Sequence, residues 1–362
     1  MELEERVIEA YLTGLTGQAV QVEGLHQLGG EATGAAALKA FGYGRPLRID
    51  FRVDGEERRV VLRQVNRNGF GHERDADRIA EVWLNFSTFN RMMRHVPAVD
   101  MVGVTPTGRL ESLGNVRDLL LLTEYAPGAP YAEDLLRIRN SGSAGELDIR
   151  RTRALAGFLA ELHGVAHDDP LLWRRRLRDL VGDGEGIMGL ADSYPADFAL
   201  AGADDLRAIE EAANRWRWQL KPLSHRLRQV HGDFHPFNIL FSESDTFYLL
   251  DRSRGEWGEP ADDVSCLTIN YLFFSLQRYD ELAGPFAELY HTFWESYLRA
   301  RSDPELGRVI QPWFAWRALV LASPQWYPTL PVEARRRLLT FAHRILDEEH
   351  FQWQEINRYL SP

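Results

Sequence analysis

The chain has one cysteine in 362 residues, Cys266, which excludes an intramolecular disulfide and makes a soft-ligand metal site a poor fit. A reducing, cytoplasmic setting is the expectation. No window offers the roughly 18 consecutive apolar residues that a membrane-spanning helix needs. The N-terminus MELEERVIEAYLTGL has neither a basic leader nor an apolar core, so secretion and membrane anchoring are not expected. Basic residues are outnumbered 53 to 42, and the formal charge of -11 disfavours a nucleic-acid partner. The one arginine-dense stretch, Trp173 to Leu180, lacks interleaved aromatics for base stacking and reads as a solvated helix face. Neither a Gly-x-Ser-x-Gly elbow nor a His-Glu-x-x-His pair occurs, which argues against the common hydrolase routes. Internal repeats are also missing.

What is there is a globular composition, 44% hydrophobic and 11% aromatic, enough for one large core or two moderate ones. Residues 1 to about 18 have helical spacing. VEGLHQLGG, AALKAFGYG, LRIDFRVDG and ERRVVLRQV follow as short β-type runs, punctuated by glycines and the Asp54-Gly55 turn signal. Glu73 to His95 returns to a helical pattern. The apolar run DLLLLTEYAPG reads as a buried strand ending at a Pro-Gly break, placing a boundary between an N-terminal lobe, 1–126, and a C-terminal lobe, 127–362. The latter is mainly helical, interrupted between Gln229 and Ser265 by extended pieces rich in glycine, proline and acidic residues. His163, at helical spacing beside Leu159 and Leu162, reads as a hydrogen-bonded core histidine.

The most informative stretch is His231-Gly-Asp-Phe-His-Pro-Phe-Asn238, followed by Asp251 at the end of the strand-like FYLL. Phosphoryl transfer needs a carboxylate beside the attacking hydroxyl and hard oxygen ligands for magnesium on the phosphates. Asp233 suits the first role, Asn238 and Asp251 the second. The run HGDFHPFNILF resembles the catalytic loop of the aminoglycoside phosphotransferase and choline kinase families. LLDRSRGEWGEPADDVS is similar to the segment that follows it, with Asp251, Gly258, Pro260 and Asp263 in matching order.

That resemblance implies an α+β, two-lobed protein kinase-like fold: a small N-terminal lobe with an antiparallel sheet and a larger, mainly helical C-terminal lobe. It implies Asp233 as catalytic base or hydroxyl-orienting residue, Asn238 and Asp251 as Mg2+ ligands, and His231 and Asp263 as supports of the loop. It further implies nucleotide contacts from Gly29, Gly30 and Gly34 in a glycine-rich hairpin, from Arg63 on the third strand paired with Glu81, with Glu73 as its rival, and from Glu124, Tyr125 and Ala126 after the apolar run. Two departures stand out. Arg63 replaces the lysine of protein kinases, and Arg252 and Ser253 follow the metal-binding aspartate. In the resembled families the helical lobe and the stretch after that aspartate make the acceptor site, so Glu256, Glu259, Asp262 and Glu295 are the acceptor candidates. The implied donor is ATP or GTP, and the acceptor is a small, cationic, hydroxyl-bearing molecule such as an aminoglycoside. A metabolic kinase for a small alcohol (choline, homoserine, a thiosugar or another sugar) and a non-catalytic nucleotide-binding pseudokinase are the alternatives. A monomer or homodimer is expected.

Overall fold

A computed structural model describes residues 4–28, 46–252 and 254–361. The chain divides into two compact units, Met1–Thr123 and Glu124–Pro362.

In the first unit α1 (Glu5–Thr16) ends at Gly17, whose φ of 71° gives the left-handed cap that a side chain would strain. Strands β1 (Val20–Gln27), β2 (Leu47–Val53) and β3 (Glu56–Leu62) form an antiparallel sheet in that order. Asp54 and Gly55 both have positive φ, the geometry of a two-residue hairpin turn whose twist matches its strands. Alternation in β2 sends Ile49, Phe51 and Val53 to one face, where they pack with Ile8, Leu12, Val20 and Val22. Helix α2 (Asp75–Phe89) and the hairpin β4 (Val102–Val104) and β5 (Leu110–Ser112) complete the unit.

The structure differs from expectation at two places here, and a third expectation is not reached by it. The glycine-rich hairpin with Gly29, Gly30 and Gly34 lies outside the described residues. The apolar run is not a buried strand: among the described residues no ladder reaches it, and Leu119 to Leu122 are exposed. Apolar composition makes a strand only where a neighbouring edge accepts its backbone groups. Finally, β3 ends at Leu62, so Arg63 follows the strand with an exposed side chain.

The second unit begins with β6 (Ala129–Pro130) and runs through α3 (Tyr131–Ser141), α4 (Glu146–Leu162), α5 (Pro170–Gly182), α6 (Ile187–Ser193) and α7 (Ala203–Leu220). Then come β7 (Arg228–Gln229), a single 3-10 turn at Pro236–Asn238, β8 (Ile239–Phe241), β9 (Phe247–Leu249) and β10 (Trp257–Gly258). Helices α8 (Pro260–Tyr279), α9 (Gly284–Ala300), α10 (Leu306–Val309), α11 (Gln311–Ala322) and α12 (Val332–Leu346), followed by a 3-10 segment at Trp353–Leu360, finish the unit. Helix α8 is buried at every position from Pro260 to Leu276, and its buried Ser265, Thr268 and Asn270 donate to the helix's own carbonyls. It forms the axis of the core. Two small antiparallel sheets, β6-β8-β9 and β10-β7, hold the loop 231–238 between them, close to the N-terminus of α8. Among the described residues no helix is long and apolar enough to cross a membrane.

Candidate functional site

The loop 231–238 is fixed from beneath by Asp263, in the first turn of α8. Its Oδ2 accepts from the His231 backbone N–H at 2.7 Å, and its Oδ1 accepts from the Gly232 N–H at 2.7 Å. His163 Nε2 donates to Oδ2 at 3.1 Å, while its Nδ1 meets the Tyr297 hydroxyl at 2.8 Å. Asp263 and His163 are fully buried. Burial alone would raise the Asp263 carboxyl, but the bond from His163 and the loop amides outweigh it and lower it. Two adjacent amides can turn toward one carboxylate because Gly232 has φ 87°, a conformation that glycine takes without cost. His231 adds a contact of its own, with Nδ1 accepting from the Asp233 N–H at 3.3 Å.

The same loop carries Asp233 and Asn238, and Asp251 follows β9, the strand that pairs with the loop's continuation in β8. Asn238 Nδ2 donates to the Asp233 carbonyl at 3.1 Å and lies 3.4 Å from Asp233 Oδ2, which leaves Asn238 Oδ1 as the amide's acceptor oxygen. The Leu250 N–H donates to the Asn238 carbonyl at 2.9 Å, tying the residue before Asp251 to the loop. Asp251 is exposed and has φ 52°, an uncommon left-handed conformation for aspartate that turns the chain at the end of β9. Among the described residues there is no cluster of three or more His, Cys, Asp or Glu side chains able to hold a metal alone. An amide oxygen and one carboxylate nevertheless fit Mg2+, which takes few protein oxygens when phosphates and water complete its shell.

Sequence reading did not anticipate the cations around Asp233. Arg317, from α11, reaches Oδ1 at 2.7 Å, and Arg254 reaches the same oxygen at 2.8 Å. Both guanidiniums also meet the Gly232 carbonyl, at 3.2 and 3.3 Å, and both lie over the Trp316 ring. Burial would raise the Asp233 carboxyl, but Arg317 and Arg254 prevail and bring it down to about 2. His235, 3.5 Å from Asp233 Oδ2, is lowered by its burial, and its Nδ1 caps the 3-10 turn by accepting from the Phe237 N–H. Arg176 from α5 donates to the Arg254 carbonyl at 2.7 Å. The arginine-dense stretch is therefore not a solvated face throughout: Trp173, Arg176 and Leu177 are buried, at the spacing of one helical face. Arg252 clips the loop from outside, donating to the Val230 carbonyl at 2.6 and 3.1 Å, and Ser253 lies outside the described residues.

The acceptor candidates fare differently. Glu259 is buried and engages Arg226 with both oxygens while capping α8, so it holds the fold. Asp262 is buried against Arg317 at 2.6 Å, and its burial pushes the carboxyl up. Neither is open to a ligand. Glu256 is exposed and 4.0 Å from Arg252, and Glu295 is exposed on α9. Among the aromatic residues of the helical lobe, Tyr271, Trp294, Trp313 and Trp316 are core residues and Trp326 is exposed. In the first unit the Arg63–Glu81 pair is not formed. Glu81 instead meets His72 Nε2, and Glu73 is buried, its carbonyl accepting from Arg67 Nε at 2.9 Å. Glu124 and Tyr125 are exposed and Ala126 is partly buried.

A model of the phosphotransferase enzyme family (APH) matches residues 48–309, more than half of the chain. No curated protein is significantly similar in sequence. Among solved structures, a glucosamine kinase in complex with glucosamine, ADP and inorganic phosphate is 17% identical, with a TM-score of 0.40. That match covers 58% of this chain and 58% of the glucosamine kinase, so the chain spans little more than half of that relative's length. The amicoumacin kinase hAmiN with AMP-PNP, Ca2+ and Ami is 14% identical over 86% of this chain and 89% of the other, with a TM-score of 0.42. An ethanolamine kinase of Plasmodium vivax is 13% identical over 94% of this chain and 80% of the other, at 0.35. The fold is the two-lobed α+β architecture of the protein kinase-like proteins, with an antiparallel sheet in the first unit and helices dominating the second.

Proposed function

Since the chain belongs to the phosphotransferase enzyme family, we propose that it moves the terminal phosphoryl group of ATP or GTP onto a hydroxyl of a small molecule, and that the acceptor is a small alcohol or sugar in preference to an aminoglycoside. The observation carrying this reading is the grouping of Asp233, Asn238 and Asp251 on one loop and strand end, braced by Asp263. Asn238 Oδ1 and the Asp251 carboxylate would hold Mg2+, which when bound neutralises charge on the phosphates.

Asp233 has its two oxygens in different situations. Oδ1 is held by Arg317 and Arg254, whereas among the described residues Oδ2 has only the long contacts at 3.4 and 3.5 Å, and it would face the incoming hydroxyl. A carboxylate with pKa near 2 is too weak a base to remove an alcohol proton before bond formation. Its work is to accept the hydroxyl's hydrogen bond and aim an oxygen lone pair at phosphorus, taking the proton once the new P–O bond has drained charge from that oxygen. In a loose transition state such positioning is most of what the protein can supply. The preference against a polycationic aminoglycoside rests on Glu259 and Asp262, whose charges are already committed to buried arginines.

Nucleotide consumption with Mg2+ across sugars, amino alcohols and aminoglycosides tests the reading. Stimulation by alcohols or sugars is expected. If aminoglycosides alone stimulate, the acceptor assignment is wrong. If nothing raises consumption over the water background, a non-catalytic nucleotide-binding role replaces transfer.

A further inference from the structure

The second unit holds a groove of about 450 Å³ that none of the acceptor candidates line. Its walls come from α3, from the middle of α8 and from the segment leading into α12, and they are mainly apolar: Leu136, Phe237, Phe273, Phe274, Tyr327 and Leu330. Its volume falls in the range of small-molecule sites. Polar groups lie among these walls in small number. Arg139 donates to Gln277 Oε1 at 2.6 Å, so these two largely satisfy each other, and Glu133 is exposed.

Two features join the groove to the reaction centre. Phe237 lies on the catalytic loop between Asp233 and Asn238. Its ring is in edge contact with His235, which is 3.5 Å from Asp233 Oδ2, the oxygen left open to a hydroxyl. Tyr327 lines the groove from the opposite element and is close enough to feel Asp233: burial pushes its phenol up to about 12, with Cys266 and the Asp233 carboxylate adding to the effect. Phe237 is 48% exposed, an apolar ring left facing solvent at a catalytic loop. A surface of this kind, two contacts away from Asp233, is what a bound substrate would cover.

We propose that this groove receives the body of the acceptor, and that the acceptor is an alcohol whose non-reacting part is apolar, a ring or short hydrocarbon, with its hydroxyl directed past Phe237 to Asp233. The assignment rests on the phosphoryl-transfer reading above and narrows its substrate class. A polycation finds one exposed carboxylate here, Glu133, against a wall of aromatic and aliphatic carbon. Binding energy from the body would hold the hydroxyl in place, so the groove is expected to act on turnover as well as on affinity.

The test uses a matched pair differing by one ring, 1-propanol and 3-phenyl-1-propanol, titrated calorimetrically into the full chain with Mg2+ and AMP-PNP. The ring-bearing alcohol should bind at least about tenfold more tightly, a ratio that burial of an aromatic ring supports. Leu136 is 40% exposed on α3, so Leu136→Arg is compatible with the helix and introduces a cation into the apolar wall. It should bring the ratio to about one, whereas Leu136→Met should retain it. Equal binding of the pair, no binding of either, or a preference surviving in a folded Leu136→Arg variant overturns the groove assignment. Phosphate transfer is read separately with ATP in place of AMP-PNP. A ring preference with no phosphate ester formed from any alcohol sinks the transfer reading and, with it, the acceptor role. Ester formation without ring preference keeps transfer and rejects the groove.

Discussion

Two buried arginines stand near the N-terminus of α8, and comparing them separates what builds the fold from what builds the site. Arg226 engages Glu259, Asp303 and Glu305 and touches neither the loop 231–238 nor Asp233. Arg317 engages Asp262 in the same helical turn and then continues to Asp233 Oδ1 and the Gly232 carbonyl. Residue types and burial are alike. Reach is what differs: the first guanidinium closes a network of carboxylates on itself, while the second transmits the position of a buried pair to Asp233, the proposed reacting residue. A buried ion pair is weak evidence for stability, because desolvation offsets attraction, so such pairs are better judged by what they hold in place. Within the run Glu259-Pro-Ala-Asp262-Asp263, three carboxylates thus have three tasks: capping and pairing, orienting Arg317, and bracing the loop.

The comparison can be broken by substitution. Asp263→Ala leaves two loop amides and His163 without their buried acceptor, and should cost on the order of 3–5 kcal/mol in a denaturant titration together with most of the activity. Arg226→Met strands the buried Glu259, while Asp303 keeps Arg301, and should cost on the order of 3 kcal/mol of stability while the folded variant keeps its pH–rate profile. A changed profile would merge the two clusters. Asp233→Asn should lower transfer at least on the order of a hundredfold, read as kcat with the acceptor saturating. Arg254→Gln removes one cation from Asp233 Oδ1, and the acidic limb of kcat/KM should move upward as the carboxyl returns toward its ordinary value.

The smallest effect is on acid stability. The Asp233 carboxyl is depressed in the folded chain, so its contribution is fully present above the unfolded value near 4 and is lost as pH falls toward 2. Its size is on the order of 2 kcal/mol. Asp262, which is raised, works in the opposite sense, so the informative quantity is the difference between wild type and Asp233→Asn across this window.

How far the sequence reveals this arrangement depends on whether a function needs neighbours in the chain. The loop and its brace were legible through a resemblance of two motifs in order and spacing: Asp233 and Asn238 lie in one short loop, and Asp263 in the first turn of the helix beneath it. The turn at Asp54-Gly55 was legible because positive φ at two successive residues restricts what can stand there. Arg317, some eighty residues from Asp233, carried no local signal, since a helical arginine reads as solvated until tertiary packing buries it. The helical spacing of Trp173, Arg176 and Leu177 could have shown that Arg176 shares a buried face. Glu259 and Asp262 misled for a related reason. Acidic residues near a catalytic motif invite a ligand, but composition does not show whether a buried guanidinium has already claimed them. DLLLLTEY failed as a strand because apolar content names neither a pairing edge nor a surface that covers the run.

The central claim is that Asp233, held at Oδ1 by two arginines and set beside Asn238 and Asp251, directs a hydroxyl to the terminal phosphate of a nucleotide. Phosphorus NMR of the full chain with ATP, Mg2+ and a panel of alcohols and sugars tests it most directly. The account predicts a phosphate-ester resonance from at least one acceptor with wild-type protein, reduced at least on the order of a hundredfold in a folded Asp233→Asn variant. An ester formed equally well by both proteins would contradict it, as would ester from neither while the wild type is folded and binds nucleotide.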